Sequence, residues 1–169
     1  MLRNNHRIVK VAGALATAAA LAFTGVTAAS AAPAPRTAVT GTEHFQLVTA
    51  SATATTGLVI AYGVFTSHAV DHMGNSVDRF VFPGGSFKVY HSPGSGPESF
   101  NRKTCLLTAT IHGTFRVYGG AGRFKGISGH GTYVVTILGI SARAKGACSM
   151  SKVPLAYEET IRASGPIKL

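Results

Sequence analysis

Outside its N-terminal region the chain lacks any stretch with a sustained 3.6-residue apolar period and capping residues. No helix is therefore expected, which excludes helical bundles and parallel α/β sheets. No GxSxG occurs, and no serine, histidine and aspartate stand in a readable nucleophilic order, so the common serine-hydrolase pattern is excluded. HExxH and CxxC spacings are also missing, which removes the usual zinc signatures. The basic residues are scattered, with no block of five or six. A nucleic-acid stripe is thus not indicated. The glycine cluster at 119–126 does not cradle phosphate, because Lys125 occupies the third glycine's place in GxGxxG and no helix follows. Cysteine is scarce: only Cys105 and Cys148 are present.

What is present begins with an export signal. Arg3, Arg7 and Lys10 form a positive start, an alanine-rich apolar run follows from Ile8 to about Val26, and Ala29–Ala32 supply small residues before Pro33. This is the layout of a secretory signal peptide over residues 1–32, cleaved after Ala31 or Ala32, rather than a membrane anchor. With no twin-arginine pair, general secretion is the expected route. The expected product is a secreted, extracellular chain of about 137 residues with no stable membrane insertion after cleavage. A disordered tail over 33–39 precedes a single domain over 40–169. Of the 16 basic side chains, three belong to the leader, leaving 13 against 6 acidic ones. The surplus suits either a solvated basic surface or attraction to an anionic cell-wall polymer.

In an oxidising compartment, two cysteines without a third partner read as one disulfide, Cys105 to Cys148. A metal pair or a catalytic thiol is the competing reading, but neither a CxxC spacing nor an adjacent base supports it. The bridge closes a loop of about 44 residues and constrains the unfolded chain by about 4 kcal/mol in the loop-entropy model.

The rest reads as strands. The stretch Thr104–Tyr133 begins with a strictly alternating run: Cys105, Leu107, Ala109, Ile111, Phe115 and Val117 on one side, Thr104, Thr108, Thr110, His112, Thr114 and Arg116 on the other. A two-residue period gives one dry and one wet face. Glycines at 119, 120, 122 and 126 turn this run into its partner, Gly131–Ala144, making a long hairpin. Further strands are expected at Glu43–Ser51, Gly57–Thr66, Ser76–Phe82, Ser86–His91 and Leu155–Ala163, with Ile167–Leu169 closing the chain. The Gly57–Thr66 run is apolar on both sides, which suits cover on both faces or a partner subunit. The polar, proline-bearing piece His91–Lys103 is expected to be a loop. The fold class is therefore all-β, a closed antiparallel barrel of about eight strands or a sandwich.

The run Gly119-Gly120-Ala121-Gly122-Arg123-Phe124-Lys125-Gly126-Ile127-Ser128-Gly129-His130-Gly131-Thr132-Tyr133 resembles the GGTGRFxGxxGxGxY signature of the allene oxide cyclase/dirigent-like barrel superfamily. It is most similar to small secreted actinobacterial members. Phe80–Phe87, Lys103-Thr104-Cys105, Gly146-Ala147-Cys148 and Ala163-Ser164-Gly165-Pro166 extend the resemblance over roughly residues 40–169. It implies an eight-stranded antiparallel barrel with an apolar lumen, often a homo-oligomer. No positions match the active-site residues of the plant cyclases or dirigent proteins, so the resemblance carries a fold and not a reaction.

Candidate site residues are polar groups in apolar phases. Asp78 shares its side with Phe80 and Phe82, and Glu159 shares its side with Leu155, Tyr157 and Ile161. If those phases line the lumen, desolvation raises both carboxyl pKa values and makes either a candidate general acid. A strand end at Asp78, or an arginine partner at either site, is the structural alternative. Tyr62, Phe80, Phe82, Tyr133 and Tyr157 are candidates for lining a ligand cavity. His68, Asp71 and His72 have metal-ligand residue types, but without HExxH they are read as an exposed loop, and no metal or cofactor is expected. His44, His91, His112 and His130 are expected at the surface.

Two functions follow. One is a binding module for a small apolar ligand or an extracellular surface. The other is a cyclase or isomerase acting on a polyunsaturated small molecule, with Asp78 or Glu159 supplying a proton. Composition favours the first, since few polar groups converge in the sequence. A cavity of several hundred Å³ with a carboxylate facing a second polar group is the feature that would favour the second.

Overall fold

The structure is a computed structural model that describes residues 37–169. The expected signal peptide and positions 33–36 of the expected tail lie outside the described residues. Val39, counted in that tail, exchanges two backbone hydrogen bonds with Leu169.

All regular structure among the described residues is strand. The strands are β1 (Thr40–Thr49), β2 (Thr56–Tyr62), β3 (Ser67–His72), β4 (Val77–Phe82), β5 (Gly85–His91), β6 (Glu98–Asn101), β7 (Leu106–Gly122), β8 (Ser128–Ile140), β9 (Arg143–Ala144), β10 (Ala147–Cys148) and β11 (Ala156–Lys168). Neighbours run β5-β4-β3-β2-β1-β11-β8-β7, and β5 pairs back onto β7. Eight antiparallel strands thereby close into a barrel, which leaves no long open edge.

The long hairpin forms as its period dictates. On β7, Ala109, Phe115 and Val117 are buried while His112, Thr114 and Arg116 face out. At 17 residues this strand outreaches any one partner: Leu106–Ala109 pair with β6 and Phe115–Gly122 with β5. Opposite Phe87 the register slips, because Ser86 faces Ala121 while Lys88 faces Tyr118. The extra residue is absorbed at Gly119, whose φ of 63° is the left-handed conformation that glycine takes freely.

Inside, the core is built from phenylalanine. Phe124, in the hairpin turn, meets Phe65, Phe82 and Phe87 at ring-centroid distances of 5.1, 4.9 and 5.3 Å. Tilted or edge-on contacts of this kind add about 0.5–1.5 kcal/mol per pair beyond burial. These four rings plug one part of the barrel. Phe45 packs between the plug and the remaining interior, touching Phe80, Phe87 and Phe115.

The expected disulfide forms between Cys105 and Cys148, whose Cα atoms are 5.2 Å apart. It fastens the residue before β7 to the short β9–β10 ribbon.

Three expected boundaries are corrected. Gly57–Thr66 is not one strand: β2 ends at Tyr62, Gly63 turns with φ 137°, and β3 occupies the stretch expected to be the His68–His72 loop. Buried Glu43 holds this turn, its Oε2 accepting the Phe65 N–H at 3.0 Å. Burial raises the Glu43 pKa, and amide hydrogen bonds from Phe65 and Val64 oppose the rise. The piece expected to be a loop over 91–103 contains β6, which adds to the free length of β7. Finally, β11 runs unbroken through Pro166. Its pairing to β8 omits Gly165 and Pro166 and resumes in register at Ile167 opposite Gly129.

Among the described residues, nothing covers the outward side of β2. Leu58 and Ile60 are exposed, and Leu58 lies in register with Val48 on β1 and Val70 on β3.

Candidate functional site

Beyond the phenylalanine plug the barrel is hollow. A cavity of about 490 Å³ opens there, floored by Phe45, Phe80 and Phe115 and walled by aliphatic side chains such as Ile111, Val135 and Ile161. Two segments frame it: Met73–Ser76 between β3 and β4, and Ser92–Gly94 after β5. Both are tied down. The Gly74 N–H donates to Asp78 Oδ1 at 2.8 Å, and the Tyr133 hydroxyl donates to the Ser92 carbonyl at 2.7 Å. Tyr133 reaches that carbonyl because Gly113 lies opposite it on β7, where any Cβ would strike the tyrosine ring. Burial also raises the Tyr133 pKa, which keeps the hydroxyl a donor.

Three carboxyl groups line this cavity: Asp71, Asp78 and Glu159. Strand alternation places each. On β3, Ala69 and Asp71 point in while His68, Val70 and His72 point out. On β4, Asp78 is in phase with Phe80 and Phe82. On β11, Glu159 is in phase with Tyr157 and Ile161. Asp78 has His91 Nε2 at 3.5 Å as well as the Gly74 amide. Glu159 accepts a hydrogen bond from the Tyr157 hydroxyl on the same strand. Burial first, and then this bond, raise the Tyr157 pKa.

Asp71 is the unusual member. It is 1% exposed, and its Oδ1 has no hydrogen-bond partner. Desolvation pushes its carboxyl up to about 7, and the nearby charges of Asp78 and Glu159 add to the rise. Near neutral pH this group exchanges a proton, the condition for a general acid or base in a dry site.

The sequence-based candidates divide accordingly. Asp78, Glu159, Phe80 and Tyr133 line the cavity. Phe82 is inside the barrel but belongs to the plug. Tyr157 supports Glu159 without forming the wall itself. Tyr62 is a correction: it is 48% exposed on the outside, stacked on His44 at 4.9 Å. His68, Asp71 and His72 do not converge, because consecutive strand positions alternate between faces. Asp71 and His91 are the cavity groups that sequence reading missed, His91 being expected at the surface. The available signal was the alternation in Ser67–His72, which sets Asp71 in phase with Ala69.

The chemistry this permits is limited but definite. The wall is mostly hydrocarbon, so it holds an apolar body. The carboxyl cluster can accept hydrogen bonds, balance a positive charge or exchange a proton. Among the described residues, neither lysine nor arginine lines the cavity. Compared with protein-family models, curated proteins and solved structures, the chain finds no match in any of the three.

Proposed function

We propose that the protein is an exported binding module whose barrel holds one small, largely apolar ligand. The cavity of about 490 Å³, aromatic at its floor and framed by two tethered segments, carries this reading. A void of this size within a packed protein is well beyond the small packing defects that folds tolerate, and it is in the range of small-molecule sites. The disulfide is consistent with an oxidising, extracellular setting, as is the signal-peptide layout of residues 1–32. Every lysine and arginine among the described residues is exposed, which supports attraction to an anionic wall polymer as a secondary property. The glycine-rich hairpin signature supports membership of the allene oxide cyclase/dirigent-like superfamily.

The test is to extract protein purified from culture supernatant with solvent, identify any co-purified molecule by mass spectrometry, and titrate the extracted protein with the neutral dye Nile red. Saturation at one dye per barrel, weakened by Val135→Phe, is the expected result. A protein that yields no ligand and gives no saturable dye signal would end this reading.

One observation favours the cyclase or isomerase alternative: the carboxyl groups converge in the cavity, which the composition did not suggest. In that case Asp71, the most deeply desolvated of the three, is a stronger proton donor candidate than Asp78 or Glu159. Turnover of a bound polyene that Asp71→Asn abolishes, with binding retained, would support it.

A further inference from the structure

The chain is basic, yet four of its six acidic side chains, Glu43, Asp71, Asp78 and Glu159, stand on inward phases of the barrel. All described lysines and arginines are exposed. This inverts the usual placement of carboxylates at the surface. Glu43 is committed to the Phe65 amide, but the other three share one mostly hydrocarbon cavity. Carboxyl groups there lose hydration that hydrocarbon cannot replace, and like charges repel across it. Within the protein the compensation is partial. Asp78 has the Gly74 amide and His91, and Glu159 has the Tyr157 hydroxyl. Asp71, 1% exposed, keeps one oxygen with no partner, and it lines the cavity.

We propose that the occupant of this cavity is an organic cation, an apolar body bearing one protonated amine, with the ammonium against Asp71 and Glu159 and the body on Phe45, Phe80 and Phe115. The proposal rests on the binding-module reading and specifies its ligand class. An ammonium is donor-only, which complements oxygens that can only accept. It also supplies the counter-charge that the cavity lacks, and charge-assisted hydrogen bonds are about twice as strong as neutral ones. The aromatic floor offers apolar surface for the body that carries the ammonium. An anionic ligand meets the opposite situation and is excluded. A neutral one leaves the free Asp71 oxygen with a hydroxyl at best.

The other titratable groups facing Asp71 are Asp78 on β4, His91 on β5, Tyr133 on β8 and Glu159 on β11. On acidification, a proton on Asp71 makes the cavity less negative. Cation binding therefore weakens as pH falls through about 7, where the Asp71 proton is held.

Three probes with one ring system separate the outcomes: 2-naphthylmethylamine, 2-naphthylmethanol and 2-naphthoate. Each is titrated calorimetrically into the purified, ligand-stripped protein at about pH 8, where the amine is still charged. The amine should bind about tenfold or more tighter than the alcohol, with the naphthoate weakest. Asp71→Asn should bring the amine down to the level of the alcohol while the alcohol's affinity holds. In the unaltered protein the amine's affinity should drop at about pH 5.5 and the alcohol's stay level. Glu159→Gln and this pH series carry the same comparison if Asp71→Asn folds poorly. Equal binding of amine and alcohol, or a preference for naphthoate, overturns the cation proposal and leaves the binding module standing. If none of the three binds while Nile red saturates, the cation proposal falls alone; if Nile red also fails, both fall.

Discussion

Tyr133 holds the carbonyl of Ser92 through its hydroxyl at 2.7 Å, joining residues 41 positions apart in sequence. Ser92 begins a segment that lines the cavity, so this one bond couples a barrel strand to the cavity wall. Tyr133→Phe keeps the ring and removes the bond. It should lower stability by about 1 kcal/mol and, if opening of the Ser92–Gly94 segment limits escape, speed dissociation of Nile red about fivefold. Urea denaturation and stopped-flow fluorescence measure the two effects. Dissociation at an unchanged rate would show that the segment does not gate the cavity.

The Asp71 carboxyl makes stability depend on pH in an unusual direction. Its folded pKa is raised from 3.8 to about 7, so the folded state holds a proton that the unfolded state has released. The contribution is favourable below about pH 4 and is lost progressively as pH rises through about 7. Asp71→Asn, which cannot ionise, should therefore gain stability over the parent at about pH 8 and much less at about pH 4.5. Paired chemical denaturation curves at the two pH values check this. Parallel curves with a constant offset would refute it.

Replacing Cys105 and Cys148 with serine should cost about 2–5 kcal/mol while leaving the barrel intact in any fraction that folds. The β9–β10 ribbon and the Arg102–Thr104 turn should loosen first, because the bridge fastens them to β7. Hydrogen exchange resolves which amides respond. A uniform loss of protection across all strands would contradict this local role.

Phe124 contacts three other rings and is fully buried. Phe124→Ala should destabilise the protein by about 3–5 kcal/mol through lost contacts and a residual void. The Nile red site should survive in the folded fraction, since the plug and the cavity are separate volumes. Thermal melts read together with dye titration test both parts.

Much of the architecture is legible in the chain wherever one face is dry and the other wet. The Thr104–Tyr133 hairpin shows this plainly, and its glycines mark the turn. Legibility fails where both faces carry similar side chains. In β2, Val59 and Ala61 point in while Leu58, Ile60 and Tyr62 point out, and nothing in their chemistry tells the two sets apart. The outward position of Tyr62 is illegible for that reason. The segment Ser67–His72 hid Asp71 because its polar residues fall on both faces and resemble a loop. Strand β6 was hidden by Pro93 and Pro97, which prevent pairing only at their own positions. Pro166 likewise removes a single donor from β11, a strand held on both sides. Asp78 and Glu159 were recoverable because each interrupts an apolar phase. That they meet Asp71 depends on closure of the barrel, a long-range fact outside the reach of local pattern.

The four-phenylalanine stopper has a kinetic corollary. A tube sealed at one end has no through-traffic, so a guest must leave by the side on which it entered. Exchange of one guest for another then requires the chamber to empty first, and a bound guest shields itself from competitors. Occupancy would then be governed by residence time more than by supply.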